Sequence, residues 1–287
     1  VDWPAVGAAL RDYSGRQLVL VLALTLASYA TYACYDVAAR RYSGHALSTP
    51  RVMAIAATCY AFALSLGALV GGAGLRLRMY ARSGLSGVCT GRIVAFSVTT
   101  NWLGYTALAG VVFAAGAVTP PESWGIGDAL LRAIGIAMVL LAIAYLGACA
   151  RWRGRTFHVR GHHFRLPTPG LGTVQVVLAA ANWALMATIV WVLLDTAVAW
   201  PLVLSTLLLA AVASALVHVP AGLGVIEAVF VAVLGATGLG VAAEPALLAA
   251  LLAYRAVYYL LPLLFALAFY LAFEARRGRS LRGARAR

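Results

Sequence analysis

Long apolar runs dominate this chain, and most are longer than a soluble core can use. They fall at about 17–38, 50–72, 91–117, 126–150, 170–194, 200–217, 223–240 and 245–274. A helix that crosses a bilayer needs roughly 20 such residues. Hydrocarbon offers no water to unpaired backbone groups, so only helices or closed barrels can cross it. The runs predict helices. With 63% hydrophobic residues, 11% charged and a mean hydropathy of +0.90, an ordinary soluble domain is excluded. The expected fold is an all-α polytopic membrane protein of about eight hydrophobic segments, some broken or re-entrant, in two pseudo-repeated halves. The run at 223–240 is the marginal one.

The flanks fit that reading. Trp3, Val6, Leu10 and Tyr13 recur at helical spacing and predict an interfacial helix over 1–16. A transmembrane domain follows over 17–275, with halves of about 17–150 and 170–275. Residues 276–287 form a basic tail. The run from Gln17 lacks a cleavage site and reads as a first span that also targets the chain. All 22 basic residues are arginine, against 9 acids. Arginines beside spans are drawn to anionic headgroups by about 1 kcal/mol each. The anionic membrane surface is therefore an expected partner, and nucleic acid is not. If all eight segments cross, only Arg40, Arg41, Arg51 and Arg132 fall opposite the termini. That puts both termini in the cytoplasm of a bacterial inner membrane. Arg40, Arg41 and Arg51 fit least well, and a re-entrant second segment would move them.

The one sizeable polar connection, 151–169, carries five arginines with His158, His162 and His163. It is expected to be a solvated cytoplasmic loop touching headgroups. Local positive charge opposes a cation there, so no metal site is expected. Cys34, Cys59, Cys89 and Cys149 lie in or beside apolar runs without a C-x-x-C pair and read as packing residues. No nucleophile–base–acid set stands out, and no glycine-rich loop leads into Lys-Ser or Lys-Thr. No catalytic residue and no cofactor are expected.

The polar residues inside apolar sequence carry the functional reading. His218-Val-Pro-Ala-Gly-Leu-Gly-Val-Ile-Glu227 breaks a hydrophobic run. Pro220 and Gly222 end one helix and Gly224 starts the next, whose N-terminus favours an anion. Glu227 falls in its first turn. His218 stands just before the break and can titrate. Arg255 lies inside the last span and needs a partner, Glu227 first and Asp195 second. In the other half, Gly71 to Tyr80 leaves the second segment through a glycine cluster followed by Arg76 and Arg78. This suits either a positive flank or a phosphate-binding turn. Thr25, Ser28, Tyr29, Tyr32, Tyr35 and Asp36 form a polar stripe on the first span. Asp36 can pair with Arg40 or sit at the mouth of a polar cavity. Ser97, Asn101 and Tyr105, with Gln175 and Asn182, can glue helices together or line that cavity. The Ala-Leu-Val and Ala-Gly-Leu echoes at 68–75 and 215–223 suggest a repeat, parallel or inverted.

Tyr35-Asp36, Gly71 to Tyr80, Asn101-Trp102-Leu103-Gly104 and His218 to Glu227 together resemble the membrane domain of the lysylphosphatidylglycerol synthase/flippases, the multiple peptide resistance factors. The resemblance covers nearly the whole chain. It implies transbilayer movement of an anionic or aminoacylated phospholipid. Full-length members add a cytoplasmic aminoacyl-transferase domain that this sequence does not contain, as in a stand-alone relative or a member without that domain, so the synthase activity is not carried over. The expected substrate-binding residues are Asp36, Arg76, Arg78, Asn101, His218, Gly222, Gly224, Glu227 and Arg255. Phospholipid headgroups are the expected ligands, with a second copy of the chain or a lipid synthase as a possible protein partner. The alternative is a membrane-embedded enzyme or accessory protein acting on lipid-linked substrates.

Overall fold

A computed structural model describes residues 3–153, 155–159, 162–195, 198–217, 219–237 and 245–285, leaving aside the side chains of 156–164, 220 and 276–285. His218 lies outside the described residues. The helices are α1 (Trp3–Arg11), α2 (Gly15–Ser43), α3 (Thr49–Leu66), α4 (Leu75–Arg82), α5 (Gly87–Ala114), α6 (Asp128–Arg151), α7 (Pro169–Leu193), α8 (Trp200–Val217), α9 (Val225–Ala236), α10 (Pro245–Tyr254) and α11 (Leu261–Arg285). Six stretches are long and apolar enough to cross a membrane, with α10 and α11 counted as one rod over Pro245–Ala275. The chain is a helical membrane protein. α5 has the length to cross, but its Ser97, Thr100 and Asn101 make it less apolar. α9 is too short.

Local sequence sets the helix ends. Ser14, Ser86 and Thr168 cap α2, α5 and α7 by accepting from the amides of Gln17, Cys89 and Leu171. Gly44, at φ +78°, closes α2. The 151–169 connection is not a plain loop as expected: Thr156–Val159 (β1) pairs antiparallel with His162–Arg165 (β2). The Tyr42 hydroxyl donates to the Arg165 carbonyl at 2.7 Å, tying this hairpin to the end of α2.

Two helical hairpins give the fold its character. In the first, α3 stops at Gly67 (φ +90°), the chain turns, and a π-helical stretch, Ala68–Gly74, leads into α4. The arms touch backbone to backbone, since a Cβ on Gly71 would lie 2.1 Å from the Phe62 carbonyl oxygen. Only glycine permits that approach. In the second hairpin, α8 turns through Pro220–Gly222 and Gly224 into α9, which packs back on it. Ala221, Gly222 and Gly224 all have positive φ.

The helix ends sort onto two faces. On one, Ala39 of α2, Ile55 of α3, Met79 of α4 and Ile93 of α5 share a buried cluster flanked by Leu171 of α7 and Phe273 of α11. On the other, Tyr13 donates to the Leu193 carbonyl (3.0 Å) and Gln17 to the Val192 carbonyl (2.7 Å), joining the start of α2 to the end of α7. Trp200, opening α8, donates to Thr188 near that same end (3.0 Å). The first hairpin is therefore rooted at one face and the second at the opposite face. Their tips meet inside, where α3 packs on the Pro220–Gly222 turn. Among the described helices, α2, α5, α6, α7 and the α10–α11 rod run from face to face. α1 packs on α10 with Val6 buried, so this helix rests on protein.

Candidate functional site: two ion pairs at broken helices

Each hairpin carries an ion pair with the span beside it. In the first, Asp36 on α2 is fully buried and takes four hydrogen bonds. Arg76 donates from Nε (3.1 Å) and Nη2 (3.3 Å), Tyr80 from its hydroxyl (2.8 Å) and Ser97 from Oγ (2.6 Å). Four acceptor sites on a carboxylate are thereby filled. Arg76 also donates to the Tyr32 hydroxyl (3.3 Å) and lies over the Tyr32 ring, 5.5 Å from its centre. Arg40 does not pair with Asp36; it donates to the Leu47 carbonyl and Thr49 and closes the α2–α3 turn. The reason is geometric. The first hairpin brings Arg76 across, and its planar fork matches the carboxylate. In that turn, burial first and Arg40 second hold His45 below the usual histidine value.

In the second hairpin the charges change places. Arg255 sits on the span, at the start of a π-helical stretch, Arg255–Leu260, that joins α10 to α11. It donates from Nε and Nη2 to Glu227 (2.5 and 2.9 Å), from Nη1 to the Ala221 carbonyl (2.9 Å) and from Nη2 to the Gly222 carbonyl (2.9 Å). One guanidinium thus satisfies the carboxylate in the first turn of α9 and two carbonyls freed by the break. It holds Ala221 at φ +57°, a conformation that costs a non-glycine residue roughly 1–2 kcal/mol. Arg255 is about 15 Å along its rod from Pro245, at a rise of about 1.5 Å per residue, so the pair is at membrane depth. Unlike the first, it is partly open, with 19% of the Glu227 and 11% of the Arg255 side chain accessible. Leu216, Val217, Leu223 and Leu260, near it in sequence, are all strongly exposed, which marks this flank as lipid-facing. Of the expected partners of Arg255, Glu227 is the one engaged.

A polar seam joins the two sites. The Tyr32 ring stacks on Tyr60 at 3.6 Å. Asn182 donates to the Tyr60 hydroxyl (3.4 Å), Tyr60 and Tyr258 share a hydrogen bond (2.8 Å), Tyr258 and Ser28 share another (2.7 Å), and Ser28 donates back to the Asn182 carbonyl (2.7 Å). With each hydroxyl donating once and accepting once the ring closes, and a closed polar ring suits a low-dielectric interior. Tyr259 follows Tyr258 and places its ring under Arg255, 5.7 Å away. Tyrosines thus run from Arg76 to Arg255 without a gap.

The remaining expected residues are spread out. Arg78 is exposed and pairs with Glu274 of α11 (3.2 Å), so both arginines after the glycine cluster are engaged by carboxylates. Asn101 is half-buried and makes no hydrogen bond among the described residues. Gly222 and Gly224 shape the second turn through positive φ. Gln175 bridges Tyr145 and Thr100, joining α6, α7 and α5. Sequence reasoning missed Tyr60 and the roles of Tyr80 and Glu274. The single tyrosine of the largely apolar α3 was the signal for the first.

No family model matches the chain. The inner membrane protein YbhN of Escherichia coli (strain K12) is 42% identical over 276 residues, covering 96% of this chain and 86% of that protein. The chain belongs to the YbhN family. A second relative, slr0712 of Synechocystis sp., is 28% identical over 264 residues, 91% of this chain and 80% of its own. The match with YbhN spans the part of the chain that forms both hairpins.

Proposed function

We propose that the chain moves phospholipids between leaflets, as a flippase or scramblase, and that the Glu227–Arg255 pair receives the headgroup. The observation that carries this reading is an ion pair at membrane depth, partly open and set on a flank of exposed leucine and valine. Charges at that depth mark substrate paths more often than packing. A headgroup entering sideways leaves its acyl chains in lipid and lowers the desolvation cost of crossing. Its phosphate takes the Arg255 fork, and an ammonium group on the same headgroup takes Glu227. One ion pair is exchanged for two, and no buried charge is left alone. An aminoacylated phospholipid such as lysylphosphatidylglycerol offers both groups. The sequence resemblance to the multiple peptide resistance factors supports that substrate class. The arginine-rich face would rest on anionic headgroups.

The test is reconstitution in liposomes containing labelled aminoacylated and plain anionic phospholipid. Movement above protein-free vesicles is expected, faster for the aminoacylated lipid, and reduced by Glu227→Gln. Movement no faster than in empty vesicles would overturn the reading.

A further inference from the structure

We infer that the two hairpins open to opposite leaflets, in an inverted arrangement that places the N-terminus outside the cytoplasm and the C-terminus inside it. The inference stands on geometry and charge and does not depend on lipid transport.

The first hairpin is rooted beside the ends of α2 and α11 and the starts of α5 and α7. The second is rooted beside the start of α2 and the end of α7. Each returns to the face it left, and the tips touch inside. Among the described helices five face-to-face runs then remain, an odd number, so α2 starts at one face and α11 ends at the other. The intervening α6 turns the second half upside down relative to the first: α2, hairpin and α5 correspond to α7, hairpin and the α10–α11 rod.

Arginine placement decides which face is cytoplasmic. Arg40, Arg41, Arg51, Arg78, Arg82 and Arg92 lie at the ends gathered on the first face. The α6–α7 connection adds Arg151, Arg153, Arg155 and Arg165 to it, and Arg276, Arg277, Arg279, Arg282 and Arg285 belong to the C-terminal part of α11 that ends there. The second face has Arg11, Arg16 and Arg132. Arginines near span ends accumulate on the cytoplasmic side. Under eight crossings Arg40, Arg41 and Arg51 were the misfits; under the hairpin arrangement they join the majority. The Asp36–Arg76 pair is then carried by a hairpin from the cytoplasmic leaflet, and Glu227–Arg255 by one from the outer leaflet. Each leaflet has its own charged break.

Two positions separate this arrangement from an eight-span one. Ala46, exposed in the α2–α3 turn, faces the cytoplasm here and the outside there. Asp12, exposed after α1, does the reverse. Ala46→Cys and Asp12→Cys, with Ser123→Cys and Arg153→Cys as controls, would be made in a full-length chain whose four native cysteines are replaced. A membrane-impermeant maleimide would be applied to spheroplasts and to inside-out vesicles. Expected is labelling of positions 12 and 123 only from outside and of 46 and 153 only in inside-out vesicles. Labelling of position 46 from outside, or of position 12 only in inside-out vesicles, overturns the inference. As a second measurement free of internal substitutions, an N-terminal epitope on intact spheroplasts should be removed by external protease and a C-terminal one protected. The opposite pattern, or protection of both, overturns it equally.

Discussion

The two hairpins use the same parts in opposite order. In the first, the acid is on the neighbouring span and the arginine on the returning arm. In the second, the arginine is on the span and the acid on the arm. Their surroundings differ more than their chemistry. Asp36 and Arg76 are 0% and 3% accessible and saturated by protein, whereas Glu227 and Arg255 are 19% and 11% accessible, with lipid-facing residues alongside. A carboxylate whose acceptor sites are all filled by Arg76, Tyr80 and Ser97 has no capacity left for a ligand. A pair that meets its environment can trade partners. Under the proposed function, the difference leaves the first pair to hold the fold and the second to meet the headgroup.

The most severe test is Asp36→Ala. It leaves the Arg76 guanidinium buried without its counter-charge and strands Tyr80 and Ser97. Removing one partner of a buried pair costs about 3–5 kcal/mol. Thermal unfolding in detergent should show a large drop in midpoint, with transport lost alongside. Four inward hydrogen bonds argue against a variant that stays folded and is merely slow. A normal melt with abolished transport would reverse the roles assigned to the two pairs.

The hairpin turns should differ in the same sense. In Gly71→Ala the new methyl would press on the Phe62 backbone at 2.1 Å, and neither arm can yield without parting the hairpin. Gly224→Ala meets open space but must hold φ +77°, at roughly 1–2 kcal/mol. The first substitution should therefore lower the unfolding midpoint more than the second. Equal shifts would show that backbone conformation, rather than close packing, limits both turns.

Glu227→Gln tests the open pair directly. The amide keeps the size of the side chain, and Arg255 retains the Ala221 and Gly222 carbonyls. The melt should move little, while the rate of lipid movement falls about tenfold, a change of about 1.4 kcal/mol. Arg255→Lys keeps the charge but cannot reach the acid and two carbonyls with one planar group. It should cost both rate and stability.

The sequence showed where the helices break, because glycine and proline inside apolar runs leave few other readings. It also pointed to Glu227 as the partner of Arg255, since a charge in a span needs its opposite and few acids exist. It could not show that Asp36 reaches Arg76 rather than Arg40. Arg40 is one turn away on the same helix, and only the folding back of the first hairpin brings Arg76 closer. Nor could it show the ring of Ser28, Tyr60, Asn182 and Tyr258, whose members come from four elements and have no shared local pattern. Side-chain packing between hairpins is decided by register, which composition does not encode.

The smallest effect is expected where the first hairpin meets α11 in the open. Glu274 accepts from Arg78 at 3.2 Å and also pairs with Arg82; 54% of the Arg78 side chain and 30% of the Arg82 side chain are accessible. Water and salt screen such a pair, and exposed ion pairs contribute about 0–1 kcal/mol. Glu274→Gln should shift the melt by less than any substitution above, and high salt should erase the difference. The arm it touches is already fastened a turn deeper, by Arg76 on Asp36. A large, salt-resistant loss on Glu274→Gln would mean that the hairpin is held from its rim rather than its centre, and Asp36 would then be free for another task.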